Sequence, residues 1–289
     1  MIDISKKMDE ALLKRAEVSN AKRDKTCFHA ADCEKNVFDL YHSLIGTPPT
    51  NPPDLKSLDR FIKGELTEDM VYILLKELDL VEFGGDQQYE IDEEWNGIRI
   101  SGHPDFLLKD EDKSLVECKS WYGYYQQKNL EAGEPKLAYL KQLAVYMYFL
   151  KMQRGELFMA PLEPIHERYQ FPLFQTSPGH FKCNGVEFDL TQEFARWKRL
   201  WDKNVVPRIE PKSEFRYKYP ISEINWSTLS KSAITEVRMG RKVVGDWQVQ
   251  YSDYKDLIIE KEGCTLGYTP EEMKTILQLT AGMSSKKYL

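Results

Sequence analysis

The stretch GHPDFLLKDEDKSLVECKS, residues 102–120, constrains the fold more than any other part of the chain. It predicts two short strands around the charged turn KDEDKS, which together form a β-hairpin. Side chains alternate along a strand, so Val116 and Cys118 share the face that packs on a core. Glu117 and Lys119 then project together from the other face. This pattern indicates a polar cleft beside the hairpin.

A second carboxylate belongs to the same hairpin. Asp105 begins the preceding strand directly after Pro104, and the hairpin brings it beside Glu117. Two neighbouring carboxylates repel each other unless a cation lies between them, and hard oxygen ligands suit Mg²⁺ or Mn²⁺. The Lys119 amine is expected to orient or activate a water and to offset charge on a phosphate. The alternative is a salt-bridge cluster on an exposed hairpin.

Polar residues on two predicted helices point to the same chemistry. Gln142 and Tyr146 lie four apart on one face of an otherwise apolar helix, where a glutamine is costly to bury without a partner. Upstream, Glu68 follows Gly64 by one turn and is a candidate for a further metal ligand. The alternatives are an amide bonded to a neighbouring loop and an ordinary exposed helix glutamate.

The segments GHPD, VECKS and QLAVY, in this order and in a strand–turn–strand–helix context, resemble the PD-(D/E)XK nuclease superfamily. The likeness is to its RecB-like branch, whose motifs read G-x-x-D, E-x-K and Q-x-x-x-Y. It implies a metal-dependent phosphodiesterase with Asp105 and Glu117 as metal ligands and the backbone carbonyl of Cys118 as a third. Lys119 would be the catalytic lysine.

The same resemblance assigns expectations to the flanking motifs. Gln142 and Tyr146 would steady the DNA strand or the active site. The upstream motif of the branch commonly reads G-x-x-x-H, whereas this chain has Glu68 in the histidine position after Gly64. This departure keeps a metal-binding side chain but changes its type.

Many RecB-like nucleases, including AddB and the CRISPR-associated ones, also hold an iron–sulphur cluster with one cysteine before the core and three near the end. Cys33 is a candidate for the first cysteine. The late run DWQVQYSDYKDLIIEK has Val249, Ser252 and Ile258 where the other three would stand. Because a [4Fe–4S] cluster takes four ligands, we expect no cluster, and packing between the two segments in its place.

Composition excludes several other classes of protein. No apolar run approaches the roughly 20 residues of a membrane helix, and the N-terminus reads as an amphipathic helix without the apolar core of a signal peptide. The five cysteines include no CxxC pair, which disfavours a disulfide framework or a cysteine-rich metal site. There is no P-loop and no nucleophile elbow. We therefore expect a cytoplasmic protein, or one of the host cytoplasm if a phage encodes it, with no membrane partner.

The charge is unevenly spread. A net charge of −6 argues against coating nucleic acid by charge alone, yet residues 196–242 carry twelve Lys or Arg against five Asp or Glu. Within them the run SEFRYKYP offers Arg216 and Lys218 to hold phosphates, with aromatic residues to stack on bases. His103, beside the Asp105 motif, is a further candidate for substrate contact. A solvated basic face and a structural histidine are the alternatives.

The overall pattern predicts an α/β restriction-endonuclease-like fold, with a mixed central sheet flanked by helices. Residues 1–55 are expected to form an N-terminal helical segment, 56–205 the nuclease core, and 206–289 a C-terminal extension of the same domain. Helices are predicted over 3–24, 30–45, 55–80, 133–152 and 190–204, and three or four consecutive antiparallel strands between 87 and 120.

The expected function is Mg²⁺- or Mn²⁺-dependent cleavage of DNA, acting on single-stranded or duplex ends. The resemblance implies a setting in recombination, repair or replication, often in phages, with a recombination or replication protein as a further partner. A structure- or site-selective endonuclease with the same active site is one alternative. A catalytically silent DNA-binding subunit is the other.

Overall fold

The structure is a computed structural model that describes residues 3–85, 89–111, 113–162, 167–216, 218–240, 245–263 and 267–283. Its contacts divide the chain into two compact units. The first comprises residues 1–35, 44–46 and 53–209, and the second comprises residues 36–43, 47–52 and 210–289. Within the described ranges, no helix combines the length and the apolar character needed to cross a membrane.

The first unit is a mixed α/β structure. Its helices are α1 (Ile4–Lys22), α3 (Leu55–Glu77), α4 (Tyr124–Glu131), α5 (Leu137–Leu150) and α6 (Leu190–Leu200), while α2 (Val37–Leu44) belongs to the second unit except for its last residue. Its strands are β1 (Phe28–His29), β2 (Val81–Gly84), β3 (Ile91–Trp95), β4 (Ile98–Gly102), β5 (Phe106–Leu108), β6 (Leu115–Trp121), β7 (Arg154–Pro161), β8 (Tyr169–Ser177), β9 (His180–Cys183) and β10 (Val186–Asp189).

The large sheet is mixed, as the sequence predicts. It has seven strands in the order β10-β9-β8-β7-β6-β5-β2, and β6 and β7 run parallel while the other pairs are antiparallel. The β6-to-β7 crossover contains α4 and α5, since parallel neighbours need a long connection. A smaller sheet has the order β1-β4-β3.

The run of strands between residues 87 and 120 corrects one expectation. Asn96 and Gly97, both at positive φ, make the tight turn of the predicted β3–β4 hairpin. However, β3 and β4 belong to the small sheet, and β5 and β6 to the large one. The strands are therefore two separate hairpins. The intervening GHPD segment contains Pro104, which has no N–H to donate to a ladder. Gln87, Gln88 and Asp112 lie outside the described residues.

Two helices cover opposite faces of the large sheet near β6. Val116 and Cys118 pack with Val71 of α3 in one buried cluster. A Cβ on Gly155 of β7 would come within 3.0 Å of Leu143 in α5, so α5 lies very close to the sheet there. Gly155 pairs with Leu115, which puts it on the same face as Glu117. The helices therefore enclose β6 from both sides.

The helix predicted over residues 55–80 is present as α3, and Asp54 caps its N-terminus through a carboxylate that accepts a 2.8 Å hydrogen bond from the N–H of Ser57. The apolar residues that indicate this helix are mostly not in the core. Leu66, Met70, Ile73, Leu74 and Leu78 are all exposed, and the core contact is made by Leu58 and Val71 instead.

The second unit is helical in its described part. Besides α2 it contains α7 (Lys231–Arg238), α8 (Trp247–Gln250), α9 (Lys255–Lys261) and α10 (Pro270–Leu279). Phe38 of α2 packs with Val249, Tyr254 and Ile258, and a separate cluster joins Trp226 to α7 and α10. The further division of the chain proposed from the sequence stays a prediction.

Candidate active site

The β5–β6 hairpin brings two carboxylates together in the predicted register. Phe106 pairs with Val116, so Asp105 stands opposite Glu117 one position further along. The backbone N–H of Cys118 donates a 2.7 Å hydrogen bond to Oδ2 of Asp105. This bond fixes the Asp105 carboxylate against β6, and the side chain is buried.

Glu117 and Lys119 form an ion pair on the face of β6 opposite to Val116 and Cys118. The Glu117 side chain is 1% exposed and that of Lys119 is 24% exposed, so the pair is not part of a surface salt-bridge cluster. Lys119 occupies Oε1 of Glu117, whereas Oε2 is buried without a hydrogen-bond partner among the described residues. A buried, unpaired carboxylate oxygen is costly, and it can still accept a hydrogen bond or bind a cation.

A third carboxylate comes from α3. Glu68 is partly buried and lies near enough to Asp105 for each carboxylate to shift the pKa of the other, so it faces the hairpin. One turn earlier, a Cβ on Gly64 would lie 3.1 Å from Oγ of Ser120, so glycine lets α3 approach the end of β6. The structure therefore brings Glu68 to the site that the sequence proposes for it.

The pKa values of all three carboxylates, Glu68, Asp105 and Glu117, are raised, as in a cluster with too little positive charge. Burial, and then the charge of Asp105, raise the pKa of both Glu68 and Glu117 to about 8, although Lys119 acts in the opposite direction. Burial also raises the pKa of Asp105, against the effect of Lys119 and of the Cys118 N–H. Burial lowers the pKa of Lys119, but Glu117 and Asp105 outweigh it and the net change is upward.

Gln142 and Tyr146 meet the site from α5. The Gln142 amide donates a 3.1 Å hydrogen bond to the Tyr146 hydroxyl, which gives the glutamine of this otherwise apolar helix a polar partner. Tyr146 is buried, and burial followed by the charge of Glu117 raises its pKa well above the ordinary value. The ring lies so close to Gly102 that a Cβ there would stand 2.7 Å from its Cε1 atom.

This contact gives the motif glycine a role that sequence reasoning misses. Gly102 lies at the end of β4, and a side chain there would collide with Tyr146 and crowd Ala30. The signal is the glycine three residues before Asp105, together with the tyrosine on α5. Only a known contact between the two elements would connect them.

The remaining predicted substrate contacts differ in their surroundings. His103 is exposed, and its charge acts to lower the pKa of Asp105, so it belongs to the neighbourhood of the site. Arg216 and Lys218 lie in the second unit, where Arg216 pairs with Glu223 and Lys218 pairs with Glu272 at 3.1 Å. Their contact with a substrate stays a prediction.

The donor set fits a hard divalent cation through its chemistry. Asp105 and Glu117 are adjacent carboxylates in a buried position, and Oε2 of Glu117 has no hydrogen-bond partner among the described residues. In the described ranges, however, no group of three or more His, Cys, Asp or Glu side chains is arranged to hold a metal ion. At Oε1 of Glu117 the positive charge comes from the Lys119 ammonium and not from a metal ion.

Within the second unit, α2 packs against the late run DWQVQYSDYKDLIIEK, which is the contact that the sequence predicts between these two segments. Val249 and Ile258 contact Phe38, and the Ser252 hydroxyl donates a 2.7 Å hydrogen bond to Asp39. Cys33 belongs to the first unit and is buried, and its burial raises the pKa of the thiol well above the ordinary value. The absence of a cluster stays a prediction, and Cys264 lies outside the described residues.

Comparison with known proteins gives structural likeness only. No protein-family model matches the sequence, and no curated protein matches it significantly. The crystal structure of SSO0001 is similar at 13% identity and a TM-score of 0.44, with 67% of this chain and 85% of that chain covered. The alkaline exonuclease LHK-Exo from Laribacter hongkongensis is similar at 16% identity and a TM-score of 0.42, with 65% and 91% covered.

The complex of LHK-Exo with dAMP is a further similar structure, at 16% identity and a TM-score of 0.39, with 64% of this chain and 88% of that chain covered. At these identities and TM-scores the likeness carries no assignment of activity. Any inference about activity therefore rests on this chain's own fold, a mixed sheet enclosed by helices, and on the carboxylate–lysine cluster at β5 and β6.

Proposed function

We propose that the protein is a metal-dependent DNA nuclease of the PD-(D/E)XK type that hydrolyses phosphodiester bonds from DNA ends. The observation that supports this most is the buried cluster of Asp105, Glu117 and Lys119, with one Glu117 oxygen lacking a hydrogen-bond partner among the described residues. An unpaired buried oxygen destabilises the fold, and Glu156, paired with Arg154, also has one among the described residues. The cluster differs from that ion pair because a second buried carboxylate, Asp105, lies opposite Glu117.

Asp105 and Glu117 would hold Mg²⁺ or Mn²⁺, with Glu68 and the backbone carbonyl of Cys118 as further proposed ligands. Carboxylate and carbonyl oxygens are the donors that these cations prefer. When bound, the cation polarises a phosphoryl oxygen and neutralises developing negative charge. The raised pKa values of Glu68 and Glu117 fit this role, since burial and the charge of Asp105 outweigh the one nearby ammonium, that of Lys119, and a further cation would offset them.

Lys119 acts in this proposal as a protonated group. Its raised pKa keeps the ammonium charged at neutral pH, and the ion pair with Glu117 holds it in place. It donates hydrogen bonds that orient the attacking water and stabilise the phosphate as the phosphorus–oxygen bond breaks. The attacking water releases a proton to solvent, and the leaving oxygen takes one up. Tyr146 and Gln142 support the site from α5.

The proposal is tested by digestion of DNA labelled at the 5′ or 3′ end, single-stranded and double-stranded, linear and circular. Wild type and Lys119→Ala are compared with Mg²⁺, Mn²⁺ or EDTA. Lys113→Ala is the matched control, since Lys113 is an exposed lysine in the turn of the same hairpin, paired with Glu82. We expect metal-dependent loss of linear DNA with wild type and Lys113→Ala, and none with Lys119→Ala.

The other outcomes choose among the alternatives. Cutting of circular DNA would replace the exonuclease by an endonuclease with the same active site. Binding without cleavage under every metal, equal for wild type and Lys119→Ala, would leave a catalytically silent DNA-binding subunit. A role in recombination, repair or replication, a phage origin, a cytoplasmic location and a partner protein from those processes belong to the same proposal.

A further inference from the structure

Three tyrosines directly follow β6, the strand that carries Glu117 and Lys119. β6 ends at Trp121, and the next residues include Tyr122, Tyr124 and Tyr125 at the start of α4. These tyrosines are 48%, 62% and 79% exposed, although a tyrosine ring in a folded protein usually packs against other side chains. Gly123, at a φ of +86°, separates the first ring from the other two, and no atom of the described residues lies within 4 Å of a Cβ placed on it.

Two cations accompany the rings. The Arg60 guanidinium lies 5.2 Å from the centre of the Tyr122 ring, and the Lys128 ammonium lies 4.8 Å from that of Tyr124. The Tyr124 and Tyr125 rings meet edge to face at 5.8 Å. Exposed rings interleaved with Lys and Arg are the composition of surfaces that bind single-stranded nucleic acid.

The cluster adjoins the candidate active site through both of its elements. Tyr122 is three residues beyond Lys119, which is about 10 Å along an extended chain. Arg60 is on α3, two turns before Glu68, and Gly64 between them lies against Ser120. A strand held at the carboxylates would therefore pass the tyrosines within a few nucleotides.

We propose that Tyr122, Tyr124 and Tyr125 form a stacking platform for the unpaired bases of a single-stranded DNA segment that enters the site. Arg60 and Lys128 hold the phosphates of that segment. The inference rests on the proposed function. It adds that the DNA is single-stranded, and not paired, where it enters the site. Stacking is tolerant of sequence, because every base has a π-face.

The test measures binding of two fluorescein-labelled single strands of equal length, oligo-dT and a fully abasic strand, by anisotropy in EDTA. The variants are Tyr124→Ala/Tyr125→Ala and Tyr124→Phe/Tyr125→Phe. Tyr251→Ala is the control, since Tyr251 is a similarly exposed tyrosine of the second unit. We expect the double alanine variant to bind oligo-dT about tenfold or more weakly and the abasic strand unchanged. The phenylalanine variant and the control should match wild type.

Equal weakening on both strands, no weakening, or a phenylalanine variant as weak as the alanine one would overturn the platform, as would absence of binding to oligo-dT by wild type. The two proposals fail separately. If wild type binds bases through the tyrosines but cleaves nothing with Mg²⁺ or Mn²⁺, the nuclease is wrong and the platform stands. If wild type cleaves and the alanine variant keeps its affinity for oligo-dT, only the platform is wrong.

A different observation, independent of any activity, concerns the exposed apolar stripe of α3. Leu66, Met70, Ile73 and Leu74 are 60%, 44%, 54% and 45% exposed and recur at the spacing of one helix face. The sequence around them is symmetric about Met70. Leu66 and Leu74 each lie four residues away, and the oppositely charged Lys63 and Glu77 each lie seven away.

This symmetry is self-complementary in an antiparallel pair. If Met70 of one copy meets Met70 of another, Leu66 lies opposite Leu74 and Lys63 lies opposite Glu77 across a two-fold axis. Within one copy Lys63 pairs with Asp59 at 2.8 Å in an exposed position, and such a pair is easily exchanged. We infer that the stripe pairs with a second copy of this chain. One helix face is less than the ~800 Å² per partner of a standard interface, so the dimer is expected to be concentration-dependent.

Sedimentation velocity over about 1 to 200 μM tests the pairing. We expect wild type to dimerise, and Met70→Glu to stay monomeric because two like charges would meet at the axis. Glu77→Lys should weaken the dimer, and Lys63→Glu/Glu77→Lys should restore it. Leu13→Glu, an exposed site on α1, is the control. A monomeric wild type throughout, a dimeric Met70→Glu, or a double variant no better than Glu77→Lys would overturn the inference.

Discussion

The backbone N–H of Cys118 donates a 2.7 Å hydrogen bond to Oδ2 of Asp105, and this bond joins the two halves of the candidate active site. It ties the aspartate before β5 to the middle of β6. The side chain of Cys118 meanwhile faces the core with Val116, so Glu117 and Lys119 on either side of it face the opposite way. The core contact of one residue thus orients the polar residues beside it.

Asp105→Asn should abolish DNA cleavage, lowering the rate by a factor of about 10² or more, because it removes the charge that faces Glu117. It should also remove the rise in melting temperature that Mg²⁺ or Mn²⁺ is expected to give wild type, since a ligand that binds only the folded state stabilises it. Thermal unfolding against metal concentration checks this. Glu111→Gln, in the turn of the same hairpin, should retain the metal effect. An undiminished effect in Asp105→Asn would show that the cation binds elsewhere.

Glu68→Gln should make the free energy of unfolding of the metal-free protein fall less as the pH rises. The pKa of Glu68 is raised from 4.5 to about 8, first by burial and then by Asp105. The folded state therefore holds a proton that the unfolded state has lost, and this group's contribution falls as the pH rises from about 4.5 to about 8. Urea unfolding of wild type and Glu68→Gln in EDTA across this range measures the difference. Parallel curves for the two proteins would contradict the shift.

Asp32→Asn should destabilise the first unit at neutral pH by about 2 kcal/mol. Burial raises the pKa of Asp32, but Lys35, Arg23 and the His29 N–H outweigh it and lower the pKa from 3.8 to about 2. This stabilisation is complete above about pH 4 and is lost as the pH falls towards about 2. Urea titrations of wild type and variant should therefore differ at pH 7 and converge near pH 2. A constant difference across that range would exclude the ion pairs as its source.

Gly102→Ala should destabilise the protein by about 1 to 3 kcal/mol, the usual cost of overpacking. The added methyl would lie 2.7 Å from Cε1 of Tyr146 and 3.1 Å from Cβ of Ala30, both held in buried positions. Gly282→Ala is the control, because no described residue lies within 4 Å of a Cβ there. Thermal unfolding compares the two variants. If Tyr146→Phe/Gly102→Ala is as unstable as Gly102→Ala, the collision involves the ring and not the hydroxyl.

The local parts of the site are readable from the sequence. A strand period of two separates Val116 and Cys118 from Glu117 and Lys119, and the hairpin turn sets Asp105 opposite Glu117. A helix period sets Gln142 beside Tyr146, where the hydrogen bond is found. These relationships depend on neighbours along the chain, and so the residue pattern alone determines them.

Contacts between distant elements depend on tertiary packing. An apolar face predicts that α3 is a helix, but not that Leu58 and Val71 are its buried positions while Leu66 and Met70 are exposed. Similarly, four strands in sequence do not reveal that β4 and β5 belong to different sheets. The same packing decides that Glu68 reaches Asp105, since the close approach of α3 at Gly64 sets that distance.

The sequence by itself therefore determined which side chains are available for chemistry and which neighbours they share, because alternation and turn geometry are local. Only the tertiary structure decided that these groups are buried, that Lys119 occupies one Glu117 oxygen, and that the other is without a hydrogen-bond partner among the described residues. Burial is the physical reason for the difference. It raises the pKa of all three carboxylates, and it arises only when helices from separate parts of the chain enclose the sheet.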